Sequence, residues 1–145
     1  MSIGDIMNCP AIVCRPGDTL EDAARLMWEC DYGVIPVVDN DNRIVGIVTD
    51  RDITMSAYTK GRSLNWLRVA QAMTVEVYSC REDDSIKSVE RLMRDRQVRR
   101  LPVLDKKGRP VGVVSLGDVA RFGAGQAPAK TYEGEPMEQD RGGHA

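Results

Sequence analysis

Histidine is nearly absent from this chain. Of 145 residues only His144 carries an imidazole, second from the C-terminus in a stretch of Gly, Glu and Pro. A Ser-His-Asp triad, a Cys-His dyad or a His-rich metal site needs an imidazole held rigidly, so the histidine-dependent enzyme classes fall away. Neither sign of charge dominates. Twenty Lys and Arg against 22 Asp and Glu leave −2 and a pI near 5.5, which argues against a dedicated nucleic-acid binder, where a basic excess is expected. No apolar run approaches the ~20 residues that span a bilayer. Met1-Ser2-Ile3-Gly4-Asp5 lacks the basic region that opens a secretory signal, and the chain reads as cytoplasmic, with no membrane partner. The four cysteines, Cys9, Cys14, Cys30 and Cys80, form no C-x-x-C pair. Disulfides are a poor default without a secretory signal, and the spacings of a zinc knuckle are missing. The cysteines are therefore expected to act as small buried hydrophobes.

What remains is ordinary in composition, 42% hydrophobic and 29% charged, and of a length that fits one compact unit or two small ones sharing a core. The organisation appears when the sequence is slid against itself by 66 residues: residues 6 to 53 then align with 72 to 119 without a gap. Met7 meets Met73, Cys14 meets Cys80 and Asp18 meets Asp84. Arg25-Leu26-Met27 falls on Arg91-Leu92-Met93, Pro36-Val37 on Pro102-Val103, Gly46 on Gly112 and Asp52 on Asp118. Two copies of one unit of about 50 residues lie in tandem.

Both copies share a layout. A short apolar run (Ala11 to Cys14; Val77 to Cys80) is followed by Asp18-Thr19 or Asp84-Ser85, either residue of which can cap a helix. Leu20, Ala23, Ala24 and Met27 then recur at helical spacing, as do Ile86, Val89, Leu92 and Met93. Two β-branched runs around a polar turn give a hairpin, Val34 to Asp39 with Arg43 to Thr49, and Leu101 to Asp105 with Val111 to Ser115. A second helix starts near Asp50 and near Leu116. The fold class is α/β (α+β), two tandem β-α-β-β-α units, and a right-handed crossover sets the first two strands of each unit parallel. The division is residues 2–60 for the first copy, 61–68 for a linker with Trp66 as a packing anchor, and 69–125 for the second. Residues 126–145, rich in Gly, Ala, Pro and Glu, are expected to be disordered.

The repeat resembles the CBS domain, named for cystathionine β-synthase, and the pair resembles a Bateman module. The resemblance rests on the strand openings Val34-Ile35-Pro36-Val37-Val38-Asp39 and Arg100-Leu101-Pro102-Val103-Leu104-Asp105. It rests also on Gly46-Ile47-Val48-Thr49-Asp50-Arg51-Asp52, which recurs as Gly112-Val113-Val114-Ser115-Leu116-Gly117-Asp118. It implies a pseudo-two-fold pair with two clefts between the repeats. In many members these bind AMP, ADP, ATP or S-adenosylmethionine, while others bind nothing. It further implies a regulatory role without catalysis, and homodimerisation through helical faces.

In T/S-x-x-D the hydroxyl stands at a strand's end and the carboxylate in the next helix's first turn, where both can face one ligand. A carboxylate suits the paired hydroxyls of a ribose, and the helix start adds free amides. The resemblance puts Thr49 and Asp52 in one cleft and Ser115 and Asp118 in the other. The plain alternative is a helix capping box; two copies in this family context favour the ligand. Val34, Ile35 and Leu101, with Met7, Ala11, Met73 and Val77, offer either apolar slots for adenine or core. In the run Arg91 to Arg100, Arg99 and Arg100 directly precede a strand opening, the place from which family members direct basic residues to phosphates. The first copy has Gly33-Val34 there, so its phosphate clamp must come from elsewhere, with Arg51 one candidate. The two sites are therefore unequal.

The leading expectation is an adenosine-ligand sensor acting on an effector protein in trans. A rival is a ligand-free or ion-binding module acting through dimerisation. A redox role for Cys14 or Cys80 is opposed by their places on an apolar strand.

Overall fold

The structure is a computed structural model and describes residues 1–123; the segment expected to be disordered, 126–145, lies outside them. In chain order it runs through a 3-10 turn (Ile3–Asp5), α1 (Leu20–Cys30), β1 (Val34–Val38), β2 (Ile44–Thr49) and α2 (Asp50–Lys60). A second 3-10 turn (Leu64–Trp66) and α3 (Val69–Ala72) lead to β3 (Cys80–Arg81), α4 (Ile86–Arg96), β4 (Arg100–Leu104), β5 (Pro110–Ser115) and α5 (Leu116–Gly123).

The helices form where their ends are capped. The Thr19 hydroxyl accepts from the Asp22 amide at 3.0 Å while Asp22 accepts from the Thr19 amide at 3.1 Å, a capping box that opens α1. Ser85 caps α4 by accepting from the Ser88 amide. Asp18 and Asp84 bond instead to the Arg15 and Arg81 amides one turn upstream. Both helices stop at a left-handed residue, Asp31 and Gln97, and α2 stops at Gly61. Leu20, Ala23, Met27 and Cys30 form the buried face of α1; Ile86, Val89 and Met93 form that of α4.

Each copy is centred on its hairpin. β1 pairs antiparallel with β2, and β4 with β5, each with a register shift one residue before the turn. The turns are tied by Asp39, which accepts from the Asp41 and Arg43 amides, and by Asp105, which accepts from those of Lys107 and Arg109. The leading strands are parallel to β1 and β4 but shorter than the apolar runs. In the second copy only Cys80–Arg81 pairs with β4, and in the first only Cys14 bridges Val37. Pro16 stands where the second copy has Glu82, and a proline has no amide to extend a ladder.

The linker anchor is not Trp66. Its side chain is 69% exposed, while neighbouring Leu67 is 2% exposed and its carbonyl accepts from the Leu20 amide at 2.9 Å. The 3-10 turn rotates Trp66 outward and leaves its successor facing the core.

The copies exchange their leading segments. Residues 1–8 pack on the second copy: the amides of Ile3 and Gly4 donate to Asp84 and Glu82, and Asn8 bridges Val113. Sixty-six positions on, Val69 and Ala70 donate to Asp18 and Pro16, and Thr74 bridges Ile47 of the first copy. Two cores result. One joins Ile3 and Ile6 to Cys80, Val89, Met93, Leu101 and Val114; the other joins Leu67 and Val69 to Cys14, Leu20, Ile35 and Val48.

Candidate functional site

The two T/S-x-x-D segments fall at the strand-to-helix junctions β2–α2 and β5–α5. In the first, the Thr49 hydroxyl accepts from the Asp52 amide at 3.0 Å and Asp52 Oδ2 accepts from the Thr49 amide at 2.9 Å. In the second, the Ser115 hydroxyl accepts from the Asp118 amide at 3.1 Å and Asp118 Oδ2 from the Ser115 amide at 2.8 Å. Both are capping boxes, and each leaves the residues beside it at the mouth of a cleft.

Strand register sets the neighbours of these junctions, and of the four residues it pairs only Arg100 and Ser115 line a cleft. Val34 lies opposite Thr49, and Arg100 opposite Ser115. These positions correspond in the repeat but differ in chemistry: Val34 is buried, whereas Arg100 is exposed and extends away from its own copy. Its Nη1 donates to the carbonyl of Gly33 at 3.4 Å. A Cβ at Gly33 would lie 2.7 Å from that nitrogen, so the missing side chain is what admits the guanidinium.

A cleft of about 560 Å³ therefore combines both copies. Arg100 faces Trp28 and Asp31 at the end of α1, Gly33, and Asp50, Ile53 and Thr54 in the first turns of α2. A smaller cleft of about 420 Å³ lies between Arg99, Arg100, Ser115, Leu116, Gly117 and Ala120, at the start of α5. Arg100 thus borders both. The first cleft brings a guanidinium to a helix start, where an anion can be held, although the carboxylates of Asp31 and Asp50 line it too.

The remaining candidates are distributed as follows. Thr49, Asp52 and Asp118 border neither cleft, and nor do Ile35 and Leu101, which lie in the two cores. Arg51 is exposed, its amide donates to Asp50 Oδ1 at 2.8 Å, and it too borders neither. Met7 and Met73 pack against Gly112 and Gly46 of the opposite copies. Ala11 lines a third groove, of about 300 Å³, with Val13, Val38, Asn42 and Arg109. Sequence reasoning missed Trp28, Asp31, Asp50 and Gly33. Asp50 and Thr54 flank the T-x-x-D segment, but no spacing rule connects them to the end of α1.

The thiols lie away from the clefts. Burial pushes Cys14 and Cys80 up to about 12, helped by Asp18 and Asp22 at the first and by Asp84 at the second. Among the described residues no three His, Cys, Asp or Glu side chains gather as a metal site, and no helix is long and apolar enough to cross a membrane.

Comparison with known proteins gives the arrangement a context. The family model of the CBS domain matches residues 3–57 and 69–125. The CBS domain-containing protein YhcV of Bacillus subtilis (strain 168) is 35% identical over 119 residues, 82% of this chain and 83% of that one. Among solved structures, the CBS domain pair of protein MJ0100, in complex with 5′-methylthioadenosine and S-adenosyl-L-methionine, superposes with a TM-score of 0.76. It is 26% identical and covers 86% of this chain and 97% of its own. CBSX2 in complex with AMP gives 0.70 at 26% identity, covering 86% of this chain and 96% of its own.

Proposed function

The chain belongs to the CBS domain family, and from that premise we propose that it is a regulatory module without catalytic chemistry that binds an adenosine-containing ligand between its repeats. The observation that carries the proposal is Arg100. It leaves its own copy to reach Gly33, beside the first turns of α2, in a cleft of about 560 Å³. A guanidinium there suits the phosphates of AMP, ADP or ATP; the family resemblance assigns a ribose to Asp52, in the first turn of the same helix. The neighbours bound to AMP, and to 5′-methylthioadenosine with S-adenosyl-L-methionine, support the same class of ligand.

Binding alone regulates nothing. The ligand must prefer one of two packings of the repeats, and an effector protein in trans must read the difference. The effector contact and a homodimer, in the cytoplasm, belong to the same proposal. Met55 and Tyr58 of α2 and Trp28 of α1 are exposed apolar side chains that such a dimer would cover.

Isothermal titration of the protein, stripped of co-purified ligand, against AMP, ADP, ATP and S-adenosylmethionine tests the proposal. Micromolar binding is expected. Silence toward all four from a folded protein overturns it, leaving a module that acts through dimerisation.

A further inference from the structure

Three of the clefts join into one strip along the helices. Arg100 borders both the cleft of about 560 Å³ and that of about 420 Å³ at the start of α5. Leu116 borders the latter and also a pocket of about 210 Å³ in the second copy. That pocket is lined by Glu90, Met93, Arg94 and Leu116, which stand 66 positions after Ala24, Met27, Trp28 and Asp50 of the first cleft. The two ends of the strip are thus the same place in the repeat, the groove between a copy's two longer helices. Their chemistry is inverted. The first end carries the carboxylates of Asp31 and Asp50 and the indole of Trp28, which is 58% exposed. The second carries the guanidinium of Arg94, 67% exposed and 3.9 Å from Glu90. The helices behind them follow the same signs. On α1, Glu21, Asp22 and Glu29 outnumber Arg25; on α4, Lys87, Arg91, Arg94 and Arg96 outnumber Glu90 and Asp95.

A second chain is the occupant whose charges fit this strip. A two-fold axis lying in the interface can set two such strips together in two ways. In the parallel one, each end meets its own counterpart: acidic α1 faces α1, basic α4 faces α4, and Trp28 meets the partner's Trp28. In the antiparallel one, each end meets the opposite end: α1 faces the partner's α4, and Trp28 meets the partner's Arg94. The centre of the strip, with Arg99 and Arg100, meets itself in both and does not choose between them. Like charges held face to face oppose association, whereas opposite charges attract and fix the orientation. An indole over a guanidinium adds a cation–π contact. We infer that the chain forms an antiparallel homodimer, the first copy of each chain on the second copy of the other, with Trp28 seated against the partner's Arg94 at the pocket between α4 and α5. The inference rests on the homodimer proposed above and deepens it by giving the orientation and the residues that set it. Trp28 is also a wall of the first cleft, so the interface and that cleft adjoin.

Two experiments on the full chain test the orientation. Arg94→Glu sets a carboxylate against the partner's acidic α1, and sedimentation equilibrium is expected to show the dimer's dissociation constant raised about tenfold. In the parallel arrangement the same change relieves repulsion between two basic helices, so an unchanged or lowered constant overturns the inference. Cross-linking reads the pairing directly. Cys9→Ser leaves only thiols that are buried, those of Cys14, Cys30 and Cys80. Trp28→Cys or Arg94→Cys is then added, each at an exposed position that the fold does not depend on. A short bis-maleimide is expected to link dimers only when the two variant chains are mixed. Linkage within either variant alone, or none in the mixture, overturns the inference. A wild type that sediments as a monomer at every concentration is a different failure: it removes the homodimer itself and its orientation with it, while the ligand-binding reading rests on its own titration.

Discussion

Met7 packs on Gly112, a residue of the other copy 105 positions away in the chain. A Cβ at Gly112 would stand 2.7 Å from Met7 Sδ and 2.8 Å from the Asn8 carbonyl oxygen. The reciprocal contact is made by Met73 with Gly46, where a Cβ would lie 2.9 Å from the Thr74 carbonyl oxygen and 3.1 Å from Met73 Sδ. These four residues hold the crossing segments against the two hairpins, and only a glycine lets backbone approach backbone so closely.

Gly112→Ala and Gly46→Ala are each expected to lower unfolding free energy by about 1–3 kcal/mol, the range of core overpacking. The obstruction at both sites includes a carbonyl oxygen, which cannot swing aside as a side chain can. Urea denaturation of the two variants measures the loss. Stability equal to wild type in either would mean the crossing segment is not held there.

Ile6 is buried in the second copy's core although the next buried residue of that core, Cys80, stands 74 positions further on. Ile6→Ala should cost about 2–5 kcal/mol, with the exchange of amides in α4 and α5 rising more than that in α1. Equal loosening of the two cores would contradict the exchange of leading segments.

The charge of Arg100 is expected to separate phosphate-bearing ligands from the bare nucleoside. Arg100→Ala should weaken AMP or ATP by about tenfold, the scale of one charge-assisted hydrogen bond, and leave adenosine unchanged. Gly33→Ala should act in the same direction by displacing the guanidinium. Its effect on the melting temperature should be small, because the obstructing atoms are the mobile end of a side chain. Competition binding with the three ligands reads both variants.

The buried thiols set an alkaline limit on stability. Cys14 and Cys80 ionise at the ordinary 9.0 in the unfolded chain and at about 12 when folded. Above pH 9 the unfolded state releases protons that the folded state keeps. The contribution is therefore complete below pH 9 and disappears as pH rises toward 12, at about 1.4 kcal/mol per pH unit for each thiol. Melting curves between pH 8 and 11 should fall more steeply for wild type than for Cys14→Val/Cys80→Val. With Ellman's reagent at pH 8, Cys9, the one cysteine that is not buried, should react ahead of the other three.

Local pattern accounts for much of this architecture. The 66-residue offset, the helical spacing of Leu20, Ala23 and Met27, and the β-branched runs at Val34 and Val111 all act over a few neighbouring residues. The main helices and hairpins stand where those patterns put them, because propensity, capping and alternation are short-range effects, whereas the leading apolar runs form only a two-residue strand in the second copy and a single bridge in the first. The T-x-x-D and S-x-x-D segments were legible as junctions for the same reason. Trp66 is the exception: whether it or Leu67 turns inward depends on the rotation of a single 3-10 turn, which composition does not encode.

The tandem repeat and the chemistry of each strand-to-helix junction were thus written in the chain, since both rest on residues close in sequence. The repeat unit seen in the alignment is nevertheless not the unit of packing. Residues 1–8 complete the second copy and residues 67–74 the first, a choice set by which apolar segment fits against Gly112 or Gly46 once both hairpins exist. The hydrogen bond from Asn8 to Asp118 likewise spans 110 residues, and Arg100 meets Gly33 across 67. Such contacts depend on shape and complementarity between distant surfaces, which a repeat alignment treats as identical and folding makes unequal.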